Sequence, residues 1–120
     1  MPVIKVTSDE HFTELLNSSN HDYIFVDFYA DWCGPCKRIA PKLEQFSTQF
    51  KTVLFAKVNV DELGDLSSYY DIKAMPTFLM FKRSKPSKDD ILDIVTGADE
   101  VKIMAALLSA TTTVEVNEDF

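Results

Sequence analysis

Asp27-Phe28-Tyr29-Ala30-Asp31-Trp32-Cys33-Gly34-Pro35-Cys36-Lys37 is the stretch on which the fold turns. It holds the only two cysteines of a 120-residue chain, placed where one hydrophobic pattern gives way to another. Upstream, Tyr23 to Tyr29 is a nearly continuous apolar run of β-forming residues, the pattern of a strand buried on both faces. Downstream, Ile39, Ala40, Leu43, Phe46 and Phe50 recur at helical spacing. They predict a helix from near Cys33 to about Phe50, with Pro41 inside it as a source of a kink. The cysteines therefore sit at a strand-to-helix junction. The free amides and partial positive charge of a helix N-terminus favour a thiolate over a thiol, so Cys33 is expected to be the more acidic of the two. Gly34 and Pro35 keep the intervening turn tight, and a reversible Cys33–Cys36 disulfide is geometrically natural.

Outward from this junction, Val3 to Val6 reads as a short strand and Thr7 with Glu10 as a capping box. A first helix follows, with Phe12, Leu15 and Leu16 inward, and Asn17 to Asn20 end it. Val53 to Val60 is a second buried strand, Leu63 to Tyr70 a short helix, Thr77 to Lys82 a long strand and Ile91 to Thr96 its hairpin partner. Val101, Met104, Ala105 and Leu108 mark a last amphipathic helix. The order β-α-β-α-β-α-β-β-α predicts an α/β fold, with early strands parallel, the final pair antiparallel, and helices on both faces of a central mixed sheet. One domain is expected over residues 1–110, and residues 111–120 read as a flexible acidic C-terminal tail.

Hydrophobic content of 46%, with three glycines and five prolines, describes an ordinary globular chain. Nineteen acids against twelve bases give a formal charge of −7, which disfavours nucleic acid and anionic membrane surfaces as partners. No apolar run approaches the roughly 18 to 20 residues of a membrane span. Met1 to Val6 lacks the basic start and apolar block of a signal peptide, so the mature domain is expected to start there. Without cysteines beyond the pair there is no disulfide framework, and the expected compartment is the reducing cytoplasm. His11 and His21 have no catalytic spacing and are expected at the surface; they supply no finger-like ligand set, so no metal site is expected.

Asp27 lies inside the apolar run, where burial disfavours its charged form and would let it relay protons near neutrality. A solvated acid on a sheet face is the competing reading. Lys57 interrupts the next buried strand, so two core strands each carry one ionisable residue that could meet across the sheet. Met75-Pro76-Thr77, read alone, marks only a turn or a strand start.

Taken together, Val26-Asp27-Phe28-Tyr29-Ala30, Trp32-Cys33-Gly34-Pro35-Cys36-Lys37, Met75-Pro76-Thr77-Phe78 and Gly97-Ala98 closely resemble the thioredoxin family, from about residue 3 to residue 109. The resemblance implies the thioredoxin fold with a five-stranded sheet, and protein-disulfide reductase activity that serves cell redox homeostasis and electron transport. It implies Cys33 as nucleophile, Cys36 as resolving thiol, Asp27 as the buried acid behind them and Lys57 as its partner. Pro76 would be cis and would abut the cysteines, with Met75 offering backbone to a substrate strand. Tyr29, Trp32, Gly97 and Ala98 would line the docking surface, and Gly34 and Pro35 would shape it. A thioredoxin reductase, drawing on NADPH through FAD, would recharge the pair, so no cofactor need be bound. Disulfide-containing target proteins would be the other partners of a monomer. Two other readings stand beside this one: a binding or structural subunit with an incidental redox pair, and a disulfide oxidase or isomerase, which Gly34-Pro35 and the cytosolic character disfavour. Four features depart from the family. Tyr29 stands where many relatives have Trp, Asp31 adds a negative charge near Cys33, the tail is acidic, and Lys82 to Asp90 is a long, glycine-free segment that reads as a solvated turn without chemistry.

Overall fold

Side-chain alternation along the strands sorts the chain into two buried layers with a sheet between them. The computed structural model describes residues 3–112. In order come β1 (Ile4–Lys5), α1 (Asp9–Ser18), β2 (Tyr23–Tyr29), α2 (Gly34–Gln49), β3 (Val53–Asn59), α3 (Gly64–Tyr69), β4 (Thr77–Lys82), a 3-10 turn (Lys88–Asp90), β5 (Asp93–Thr96) and α4 (Glu100–Thr111). The strands form a five-stranded sheet in the order β1-β3-β2-β4-β5. Strand β3 lies between β1 and β2 and runs parallel to both, β4 is antiparallel to β2, and β5 is antiparallel to β4. The connections through α1 and α2 are long enough to let the first three strands run parallel, α3 brings the chain back antiparallel as β4, and the short link from β4 to β5 reverses it again.

Phe25, Phe55, Phe78 and Met80 face α2 and α4, where they pack with Ile39, Leu43, Phe46, Ile103 and Leu107. Ile24, Val26, Phe28, Ala56 and Val58 face the other way, toward Phe12 of α1 and Tyr70 at the end of α3. Because β2 has period two, Asp27 shares the α2 side with Phe25.

Several details differ from the sequence expectations. The N-cap of α1 is Ser8, whose hydroxyl accepts from the His11 amide at 2.9 Å, and Thr7 instead pairs with Nδ1 of His11. Glu10 therefore falls one position short of the capping-box site. Both histidines are half-buried. The α4 stripe is rotated: Val101, Ala105 and Leu108 are exposed, Met104 is half-buried against the core, and Ile103, Ala106 and Leu107 are buried. This helix is apolar over most of its circumference, so periodicity fits either face. Helix α2 continues through Pro41, which withholds an amide from the helix without ending it.

The segment after β4 is anchored. Arg83 donates from Nε to the His21 carbonyl at 2.7 Å and from Nη1 to the Leu16 carbonyl at 2.6 Å, fastening the end of α1. Tyr70 donates its hydroxyl to the Pro86 carbonyl. Helix α3 stops at Asp71 (φ 59°), where the Asp71 and Ile72 amides close back onto Ser68 and Ser67. Thr111 is the last residue of α4 and Thr112 caps it, so the expected tail boundary moves; residues 113–120 lie outside the described residues.

Candidate active site

Strand β2 ends at Tyr29, and four residues later Cys33 serves as the N-cap of α2. Its amide donates to the Ala30 carbonyl at 3.2 Å, which fixes the turn, and its sulfur accepts from the Cys36 amide at 3.1 Å. The sulfur therefore takes the place of a capping oxygen and receives one of the amides that a helix start leaves free. Pro35, within the first helical turn, has no amide to leave unpaired. Cys33 and Cys36 form a disulfide, with their Cα atoms 5.3 Å apart. Both residues are only 5% exposed.

Around the disulfide, three other segments converge. The Met75–Pro76 peptide bond is cis, and the Met75 carbonyl oxygen lies 3.7 Å from the Cys33 sulfur. The Pro76 carbonyl accepts from the Gly97 amide at 2.8 Å, tying the end of β5 to the start of β4. Gly97 has φ +96°, a backbone conformation that favours glycine. Ala98 is half-buried and packs on the α2–α4 core, and is not among the residues packed against the disulfide. Trp32 is 68% exposed, and its Nε1–H donates to Asp61 Oδ2 at 2.9 Å. The exposed indole beside Cys33 is as expected from its position. Asp61 and Asn59 were not found from sequence. Asn59 is buried at the end of β3, and its Oδ1 accepts from the Asp61 and Glu62 amides at 2.9 and 3.3 Å. The Asn59-Val60-Asp61 spacing at a strand end, a common side-chain-capped turn, was the available signal.

Behind the disulfide, Asp27 is 5% exposed and its Oδ1 is buried without a partner. Burial pushes its carboxyl up to about 7, and the positive charge of Lys57 opposes part of that rise. Asp27 and Lys57 are register partners on β2 and β3, so the expected meeting across the sheet occurs. They form no direct ion pair among the described residues. The Lys57 ammonium lies over the Tyr29 ring, 5.5 Å from its centroid. Asp27, Lys57, Tyr29, Asp31, Cys36, Lys37 and Ala40 surround one cavity of about 150 Å³. The cavity brings the buried acid and Cys36 to a common space. Asp31 is exposed at its rim.

Residues 3–109 match the family model described as Thioredoxin. The chain belongs to the thioredoxin family. Thioredoxin-1 of Saccharomyces cerevisiae is 55% identical over 84 residues, which cover 70% of this chain and 77% of that protein. Thioredoxin-2 of Pyricularia oryzae is 42% identical over 110 residues, covering 92% of this chain but 60% of that protein. A crystal structure of a thioredoxin from Nicotiana alata superimposes with a TM-score of 0.80 at 35% identity, over 90% of this chain and 91% of the other. As a member of this family with its cysteine pair in place, the chain is a thiol–disulfide oxidoreductase that acts on protein disulfides. Among the described residues, no group of three or more His, Cys, Asp or Glu side chains is placed to hold a metal ion, and no helix is long and apolar enough to cross a membrane.

Proposed function

We propose that the chain works in the reducing direction, with Cys33 as nucleophile and Cys36 as resolving thiol. The observation that carries this reading is the position of the Cys33 sulfur. It caps α2, receives the Cys36 amide, and lies beside the backbone of Met75. In the reduced protein the Cys33 thiolate attacks one sulfur of a target disulfide, that bond breaks, and the first target thiolate leaves. Cys36, deprotonated with Asp27 as acceptor, then attacks the Cys33 sulfur; the Cys33–Cys36 disulfide forms and the second target thiolate leaves. Two electrons pass to the target, and the released thiolates take up protons. A target segment docks along Trp32, Gly97 and the backbone of the half-buried Met75.

The oxidised product is recharged by a thioredoxin reductase using NADPH and FAD, so the chain carries electrons without its own cofactor. Its formal charge of −7 supports protein partners over nucleic acid or anionic membranes. A cytoplasmic monomer serving redox homeostasis is the setting that fits a chain whose only cysteines form the redox pair.

The test compares wild type with Cys33→Ser and Cys36→Ser. Wild type should catalyse reduction of a disulfide-bonded protein by a small dithiol, and neither variant should. Acid-quenched mixtures with cell extract, run on a non-reducing gel, should show dithiothreitol-sensitive adducts for Cys36→Ser only. Adducts on Cys33→Ser alone would reverse the two roles.

A further inference from the structure

Lys57 has two possible companions, and the structure gives its ammonium to only one of them. Asp27 is its register partner on β2, shares the cavity and has a buried, unpartnered Oδ1. Yet the Lys57 ammonium lies over the ring of Tyr29, two residues further along the same strand face. We propose that Tyr29 is a positioning residue that holds the Lys57 ammonium over its ring and out of a direct ion pair with the Asp27 carboxylate, and thereby leaves Asp27 to accept the Cys36 proton. The inference rests on the reading of Asp27 as the proton acceptor for Cys36.

A cation over an aromatic face is held by the ring quadrupole, an attraction that survives partial exposure. Tyr29 is half-buried and packs against the cluster formed by Ala30, Cys33 and Cys36, so its ring has a fixed place from which to hold a lysine. Were the ring absent, the flexible lysine stem could bring the ammonium to the unpartnered oxygen. A directly paired carboxylate keeps its charge to lower pH and is a weaker base. The other charged groups near this pair are few. Asp31 and Lys37 line the cavity with opposite signs, while Lys5, the register partner of Lys57 on β1, pairs with Glu62 at 3.4 Å. Cys36 bears no titrating proton while it is in the disulfide. Only Lys57 is both a cation and a register neighbour of Asp27. An indole in place of the Tyr29 ring would serve the same purpose, since it is the strongest of the aromatic rings toward cations.

The experiment follows the Asp27 carboxyl by carbon-13 NMR across pH in the oxidised protein, where neither cysteine titrates. Tyr29→Leu should lower the proton affinity of Asp27 by about two- to fivefold, the scale of a partly exposed contact of this kind. Tyr29→Trp should leave the midpoint in place. A Leu side chain also changes how water reaches the cavity, so the decisive comparison is made in a Lys57→Met background. There, Tyr29→Leu should leave the Asp27 midpoint unmoved. An equal fall with and without Lys57 would overturn the proposal in favour of hydration, and no fall, or a rise, in the Lys57 background would overturn it outright. If Tyr29→Leu does not fold, the same logic applies to Tyr29→Trp paired with Lys57→Met: Lys57→Met should raise the Asp27 midpoint equally with Tyr or Trp at position 29. A difference between those two rises would refute equivalent positioning by the two rings. The readout does not depend on turnover, so failure of the reductase reading would appear separately, as an intact titration in a protein that reduces nothing.

Discussion

Replacing Asp27 with Asn should stabilise the protein at neutral and alkaline pH while slowing its chemistry. The unfolded chain releases the Asp27 proton near 3.8, whereas the folded protein keeps it until about 7 because burial penalises the carboxylate. Between those values the folded state binds one proton more than the unfolded state, so stability must fall as pH rises. The loss is absent below about pH 4, accumulates up to pH 7 and is complete above it. At 1.36 kcal/mol per pH unit it amounts to about 4 kcal/mol. An amide of the same shape has no such charge, and Asp27 Oδ1 already lacks a partner, so the substitution breaks no bond to that oxygen. Urea unfolding of oxidised wild type and Asp27→Asn should therefore give similar stabilities at pH 4 and curves that diverge to about 4 kcal/mol by pH 8. Reductase turnover at pH 7 should meanwhile drop on the order of 10-fold or more, as expected when a general base is removed. Stability curves that stayed parallel from pH 4 to 8 would refute the argument, because they would mean that Asp27 ionises alike in the folded and unfolded chain.

Arg83→Ala should cost about 2–3 kcal/mol in chemical unfolding, since it leaves the Leu16 and His21 carbonyls without their charged donor, and reductase turnover should persist because Arg83 lies beside the start of β2, the end of the strand opposite the cysteines. Gly97→Ala should cost about 1–2 kcal/mol from the positive φ alone, because an added Cβ would meet nothing within 4 Å. A thermal melt checks it, and an unchanged midpoint would show that the backbone relaxes away from φ +96° without penalty.

Legibility differed with the kind of pattern. Strand β2 and helix α2 could be read because their periods differ sharply within a few residues, and the same junction located both cysteines and the exposed Trp32. The buried face of α4 could not, because Ile103, Ala106 and Leu107 repeat at the same helical spacing as Met104, Leu108 and Val101, and only the neighbouring sheet chooses between them. Thr7 and Ser8 are equally good caps in composition; the backbone at Ser8 (φ −163°, ψ 167°) decides. In the site, the pairing of Asp27 with Lys57 followed from two interrupted apolar strands. That the lysine would lie over Tyr29 instead depends on side-chain geometry that no pattern encodes. The Trp32–Asp61 bond spans 29 residues and joins two loops, which periodicity does not relate. The cis bond at Pro76 came from family likeness, since a proline before a strand is compatible with either isomer.

The two cysteines are equally buried, so exposure cannot be what makes them unlike. What differs is the surroundings of each sulfur. Cys33 lies at the start of α2, accepts the Cys36 amide and neighbours the Met75 carbonyl, the edge along which an incoming backbone would lie. Cys36 lines the cavity it shares with Asp27. A nucleophile needs stabilisation as an anion before any partner arrives, and helix amides offer that to Cys33 permanently. A resolving thiol needs to lose its proton only after the mixed disulfide has formed, which calls for a base nearby and not for a standing charge. In the proposed mechanism the order of attack and release thus follows from what each sulfur faces, and the burial that would hold Asp27 ready as that base is the same burial that makes it costly to the fold.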